Sequence, residues 1–182
     1  SADLACMNRI KAAFPNITSV VFGHYPTIFP EEILEKSRVD AILRNEPEKV
    51  FSDYLDARKN GTSLKTIPGL AARDEQGIVF ANPPERILDL DTLPFPDFSL
   101  CDMNRYEEWL LGGPCGVLLS TRGCPFTCTY CTTTYGRRLV AKKPETVVAE
   151  LKAMHARGIR VVRFLDDTFT FSSKRVIAIC KG

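Results

Sequence analysis

Apolar positions along the chain follow two rhythms that alternate. Leu4, Met7, Ile10 and Phe14 recur at helical spacing and stop before Pro15. Residues 19–22 read as a short strand and 23–27 (GHYPT) as a loop. Pro30, Glu31 and Glu32 then open a helix, since the first turn tolerates a missing N–H and favours acidic side chains. Ala41–Leu43 is a short apolar strand. Val50, Phe51, Tyr54 and Leu55 form one face of a helix that Gly61 stops. Alternating strand and helix predict an α/β fold, a parallel sheet with helical cover. Leu70–Arg73 and 78–81 flank Asp74-Glu75-Gln76-Gly77 and predict a hairpin. Residues 82–100 hold four prolines and little periodicity, which predicts a surface linker containing a domain boundary.

The second half repeats a strand–helix pattern. Residues 117–121 form a strand, and Pro144 opens a helix whose face carries Val147, Val148, Leu151, Met154 and His155 before Gly158 ends it. Residues 159–165 form the next strand, followed by Asp166, Asp167 and Thr168. Ser172 or Ser173 caps a last helix through Val176, Ile177 and Cys180. A helix between two strands makes them parallel, so the loop after the first and the acid pair after the second emerge at one sheet edge. Alternation along the strand points Asp166 and Asp167 to opposite sides.

Composition narrows the class. Apolar residues make up 45% and charged residues 25%, as in globular domains, with no apolar run of membrane-spanning length and no basic-then-apolar start resembling a secretory signal. Seven cysteines without evenly paired spacings suit a reducing cytoplasm better than a disulfide scaffold. The net charge of +2 points to no nucleic-acid partner, and it hides an asymmetry: residues 1–91 carry 11 Lys+Arg against 14 Asp+Glu, residues 92–182 carry 13 against 8. The basic run 137–143 (RRLVAKK) suits an anionic substrate or an acidic electron donor, but reads better as a solvated face. Cys6 and Cys180, at helix-face positions, read as small buried hydrophobes, and His155 as a core or edge histidine.

The chemistry concentrates in 116–134, GVLLSTRGCPFTCTYCTTT, where Cys124, Cys128 and Cys131 are spaced C-x3-C-x2-C. Thiolates are the metal-binding form of cysteine, and one loop offers three of them where iron–sulfur clusters and structural zinc take four ligands. A zinc site would be completed by Cys101, Cys115 or His155, but the second ligand pair typical of zinc motifs is absent. The spacing favours a cluster with one open position. Beside an enzyme, a non-catalytic iron–sulfur or zinc module for electron transfer or interaction also uses such a loop.

CPFTCTYC resembles the signature of the radical S-adenosylmethionine (SAM) enzymes, C-x3-C-x-aromatic-C. The resemblance implies that Cys124, Cys128 and Cys131 hold three irons of a [4Fe-4S] cluster. SAM then chelates the fourth iron, and Tyr130 lies near the adenine. It also implies cleavage of SAM to a 5′-deoxyadenosyl radical, a small-molecule substrate, and a reductant such as ferredoxin or flavodoxin. Asp166 and Asp167 stand where the family binds the SAM ammonium, and Arg122 either faces the cluster or packs on the rim. The order of segments through residue 100 is similar to the cobalamin-dependent class, in which a Rossmann-like cobalamin-binding domain precedes a partial TIM barrel. On that likeness residues 1–81 are the later portion of such a domain, 82–113 a proline-rich connector, and 114–182 the first βα units of the barrel. Gly23 and His24 fall near the cobalamin, although a turn-capping role for His24 is the simpler reading. The class's Asp-x-His-x-x-Gly motif does not occur in the chain, Phe22-Gly23 stands for a common glycine pair, and Asn45 and Pro47 replace the glycines around Glu46 and Glu48. With about two of six βα units and a start in mid-helix, the sequence reads as a fragment.

Overall fold

The structure is a computed structural model and describes residues 2–74, 76–77, 79–132 and 135–182. The chain divides into two compact units, Ser1–Ile87 and Leu88–Gly182. Among the described residues no helix is long and apolar enough to cross a membrane.

The first unit contains α1 (Ala2–Ala13), β1 (Val20–Phe22), α2 (His24–Ile28), α3 (Pro30–Lys36), β2 (Ala41–Leu43), α4 (Pro47–Asn60), β3 (Leu70–Arg73) and β4 (Val79–Ala81). Its sheet runs in the order β1-β2-β3-β4. β1 and β2 are parallel, as expected, with Val20 opposite Ala41. β3 and β4 are antiparallel to their neighbours, so the sheet is mixed rather than parallel. The reason lies in residues 61–69, which return the chain along the sheet: Arg44 N donates to Gly69 O at 2.9 Å, setting the start of β3 beside the end of β2. The hairpin forms between β3 and β4, with Glu75 and Ile78 outside the described residues.

Strand alternation sorts this sheet into two cores. Ala41, Leu43, Leu70 and Ala72 face Val50, Tyr54 and Ala57 of α4, whereas Ile42 and Ala71 face Ile33 and Leu34 of α3. Burial on both faces explains why β2 is an unbroken apolar run. The α4 seam is narrower than its apolar pattern suggests: Phe51 and Leu55 are about half exposed, because each lies one residue round the helix from the buried Val50 and Tyr54. Gly61 ends α4 at φ 65, as expected. The predicted 23–27 loop is instead the helical turn α2, with Pro26 in its first turn, where a missing N–H costs nothing.

The second unit contains β5 (Cys115–Leu118), β6 (Thr121–Arg122), β7 (Val140–Ala141), α5 (Pro144–Ala156), β8 (Val161–Phe164) and α6 (Ser173–Lys181). β5 and β8 are parallel, in register from Cys115–Val161 to Leu118–Phe164. The predicted strand over 117–121 is broken after Leu118, and its end pairs separately, β6 with β7. Leu118, Val147, Met154, Ile159 and Ile179 form the core. Gly116 packs closely there: a Cβ would come within 2.4 Å of the end of the Met154 side chain, which would have to shift. Ser172 Oγ caps α6, accepting from Arg175 N at 3.3 Å. Before β5, Asp89, Asp97 and Asp102 each open a 3₁₀ turn by accepting a backbone N–H two residues on. Leu90 in the first of these turns is buried, so this stretch is not merely a surface linker. Cys6, Cys180 and His155 are exposed, contrary to their reading as buried or edge groups, because they lie off the seams of their helices.

Candidate functional site

The parallel pair β5·β8 brings two chain segments out at the same carboxyl-terminal edge. The first enters β6, which pairs with β7 at Thr121–Ala141 and Arg122–Val140 and so closes the cysteine loop at its base. Gly123 makes that neck possible. It sits at φ +83, and a Cβ would lie 2.4 Å from Arg138 O and 3.0 Å from Gly136 O. Cys124 N donates to Gly136 O at 3.1 Å, one step further in. Arg122, 7% exposed, lies with its guanidinium 5.2 Å from the centre of the Tyr135 ring. It therefore packs at the neck.

Within the loop, Cys131 N donates to Cys128 O at 3.2 Å, which turns the chain between two of the three thiols. Arg137 folds back to donate to Phe126 O and, at 3.4 Å, to Cys131 O. Cys124 is half-buried, Cys128 and Cys131 are exposed, and all three are free thiols. Tyr130 is 89% exposed. Among the described residues no three Cys, His, Asp or Glu side chains are grouped closely enough to hold a metal ion. The three sulfurs are thus carried by one loop but not converged, and Cys101, Cys115 and His155 do not join them as a zinc site would require. Thr133 and Thr134 lie outside the described residues.

The second segment carries the acid pair, which lies just beyond the end of β8 at Phe164 and whose members differ in exposure. Asp166 is half-buried and its Oδ1 accepts from Ser120 Oγ at 3.0 Å; Asp167 is exposed. The other oxygen of Asp166, Oδ2, is buried without a hydrogen-bond partner.

Beneath this edge lies a set of buried charges. Lys142 Nζ pairs with Glu150 at 2.5 Å, the two side chains being 7% and 3% exposed. Arg175, 8% exposed, donates from Nη2 to Ser120 O at 3.1 Å and from Nε to Lys142 O at 3.3 Å. The Phe169 and Phe171 rings stand 5.9 and 5.5 Å from its guanidinium. Burial lowers the Arg175 pKa from its usual value, opposed by the Asp166 and Asp91 carboxylates. Part of the basic run 137–143 is therefore interior, not a solvated face: Val140 and Lys142 are buried. Sequence reasoning passed over this set, although one signal was present. Glu150 stands three residues after Val147 and four before Met154, on the buried stripe of α5, where a charge requires a partner.

In the first unit, Gly23 (φ 120) caps α2 at the end of β1 and His24, half-buried, is its first residue. Arg44 Nε donates to Thr27 O at 3.2 Å and Asn45 N to Thr27 Oγ1 at 2.9 Å, tying α2 to the end of β2. Asn45 takes φ 61, the left-handed region that asparagine tolerates best after glycine. Pro47 occupies the first position of α4. Asn45 thus holds a left-handed conformation and Pro47 a helical one.

Three comparisons set this geometry among known proteins. The radical SAM superfamily profile matches residues 118–181. An uncharacterized methyltransferase of Pyrococcus horikoshii, PH0819, is 37% identical over 169 residues, covering 90% of this chain and 36% of that protein. The anaerobic magnesium-protoporphyrin IX monomethyl ester cyclase of Cereibacter sphaeroides is 28% identical over 173 residues, 92% of this chain and 28% of the cyclase. The chain thus spans about a third of the length of these relatives. Among solved structures, the cobalamin-dependent SAM radical enzyme OxsB, with aqua-cobalamin and SAM bound, superposes with a TM-score of 0.80 at 21% identity, over 99% of this chain and 26% of OxsB. Residues 118–181 thus match the radical SAM superfamily, a family of enzymes, and the chain shares the fold of OxsB along its length.

Proposed function

We propose that this chain supplies the cluster-binding and SAM-binding start of a radical SAM enzyme acting by methyl transfer, cyclisation or rearrangement on a small molecule. The observation that carries this reading is the pinned loop of three free thiols at the carboxyl-terminal edge of a parallel strand pair. Three cysteines spaced C-x3-C-x2-C on one loop, with no second ligand pair in the sequence, suit a group that takes three thiolates and leaves one position open better than four-ligand zinc. Cys124, Cys128 and Cys131 hold the [4Fe-4S] cluster, and Tyr130 lies toward the adenine of SAM. With both bound, the cluster supplies the electron that cleaves SAM to methionine and a 5′-deoxyadenosyl radical. Asp166 accepts the SAM ammonium through Oδ2, its Oδ1 being held by Ser120. Asp167, facing solvent, has no part in this contact.

The methyltransferase and cyclase relatives support methyl transfer and cyclisation among these. On this reading residues 1–81 are the later part of a cobalamin-binding-type domain, with Gly23 and His24 toward the cobalamin, 82–113 the connector and 114–182 the start of the radical SAM domain. Ferredoxin or flavodoxin is the reductant, and the free cysteines suit the cytoplasm. Anaerobic reconstitution with iron and sulfide, then SAM cleavage under dithionite, tests the reading. A reconstituted chain that binds iron yet shows no affinity for SAM would favour an electron-transfer module instead. Asp166→Asn removes a charge-assisted contact of about 1.5–3 kcal/mol, roughly 10- to 200-fold in SAM affinity, and Asp167→Asn is nearly silent. Equal affinity in wild type and both variants would remove the pair from the site.

A further inference from the structure

Arg175 is placed unusually for a buried arginine. A guanidinium beside a carboxylate ordinarily forks onto it with two parallel hydrogen bonds. Here Nε and Nη2 are both taken by backbone carbonyls, Lys142 O and Ser120 O, and two phenylalanine rings flank the group. Held there, the guanidinium does not bond Asp166. Its third nitrogen, Nη1, and Asp166 Oδ2 are both buried and without a hydrogen-bond partner. Lys142, whose carbonyl takes part in the clamp, is matched by Glu150. Among the described residues Ser120 links the two charges: its carbonyl accepts from Arg175 and its hydroxyl donates to Asp166 Oδ1.

We propose that Arg175 is a positioning residue that acts through Ser120 on Asp166, supplying a fixed positive charge and fixing the carboxylate's orientation while leaving the buried Oδ2 unbonded, to take the ammonium of SAM when it binds. This rests on the reading of Asp166 given above. A direct Arg–Asp fork would saturate the carboxylate and close the site. An Asp166 without a nearby cation would instead face its desolvation alone. The clamp on two carbonyls avoids both outcomes. Arg175 also fixes the chain on either side of the cysteine loop, since Ser120 precedes β6 and Lys142 follows β7. Lysine cannot reproduce this, because an ammonium lacks the planar fork that reaches two carbonyls at once.

The test measures Kd of the anaerobically reconstituted full chain for SAM and for its deaminated analogue, with cluster content followed separately by absorbance. Ser120→Ala removes only the hydroxyl and leaves the carbonyl clamp intact. It and Arg175→Lys should each weaken SAM about tenfold, leave cluster content unchanged, and barely alter the analogue. On an Asp166→Asn background both substitutions should have no further effect on SAM. Asp166→Asn weakening SAM while Ser120→Ala and Arg175→Lys leave it unchanged would overturn the role of Arg175 and keep that of Asp166. Equal weakening of SAM and analogue would overturn it too, showing a general loss of structure. An Asp166→Asn variant with wild-type SAM affinity would overturn both.

Discussion

The two units bury similar stretches of chain in different ways. Among the described residues, Ser1–Ile87 buries thirteen apolar side chains and three polar ones, whereas Leu88–Gly182 buries seven of each. In the first, both faces of a sheet are packed and several ion pairs, such as Lys36–Glu32 and Lys49–Asp53, lie at the surface, although Glu46 is buried. In the second, a small core supports Ser120, Lys142, Glu150 and Arg175 below a loop of free thiols. Apolar packing tolerates substitution of similar volume, while a buried polar network depends on every member being satisfied. The first unit is therefore held by shape, and the second by charge pairing at the edge where its chemistry lies.

The largest expected effect follows from the loop. Cys124→Ala, Cys128→Ala or Cys131→Ala should each abolish the visible absorbance of the reconstituted cluster, and Cys101→Ala, Cys115→Ala and Cys180→Ala should leave it. A cluster that survives loss of Cys128, or disappears with Cys115, would break the ligand assignment.

The next effects separate charge from shape. Glu150→Ala leaves Lys142 buried and unpaired and should destabilise the chain by about 3–5 kcal/mol in denaturant unfolding. Replacing both partners by Met and Leu should recover most of that loss, since well-packed apolar groups often equal a buried ion pair. In the first unit, Leu34→Ala opens a cavity at a fully buried site and should cost about 2–5 kcal/mol. If the double replacement at 142 and 150 is as damaging as Glu150→Ala alone, the contrast between the units fails.

The same contrast explains what the sequence made legible. β2, the Gly61 stop, the 70–81 hairpin and the Ser172 cap depend on neighbours in the chain, and local patterns report them. The three-thiol loop is likewise local, and so is the separation of Asp166 from Asp167. The antiparallel entry of β3 was not legible, because it is decided by the path of residues 61–69. Nor was the exposure of Phe51 and Leu55, which depends on the width of the sheet face opposite. The interior of 137–143 escaped notice because Lys142 and Arg175 lie far apart in sequence and meet only through the Ser120 and Lys142 carbonyls. Local charge density reads such a run as solvated when its partners are remote.

The smallest expected effect tests the first unit's surface. Asp40 accepts from Ser19 N at 2.6 Å and Ser19 Oγ at 2.7 Å and pairs with Lys11 Nζ at 2.8 Å, joining α1 to the segment between α3 and β2. Burial pushes the Asp40 pKa up, but Lys11 and the two Ser19 donors outweigh it, and the net shift is downward. A carboxylate with a depressed folded pKa contributes stability above its unfolded value, about 3.9, and loses it as pH falls through the folded value. Asp40→Asn should therefore weaken the unit at pH 7 by about 1 kcal/mol or less, since the side chain is 35% exposed and the pair is screened by solvent. Hydrogen exchange in α1 should quicken in the variant at pH 7, and the stabilities of the two proteins in denaturant should converge as pH falls through the depressed folded value of Asp40. A gap that keeps its size as the carboxylate is titrated would mean that the Ser19 hydrogen bonds, and not the ionised carboxylate, hold α1 in place.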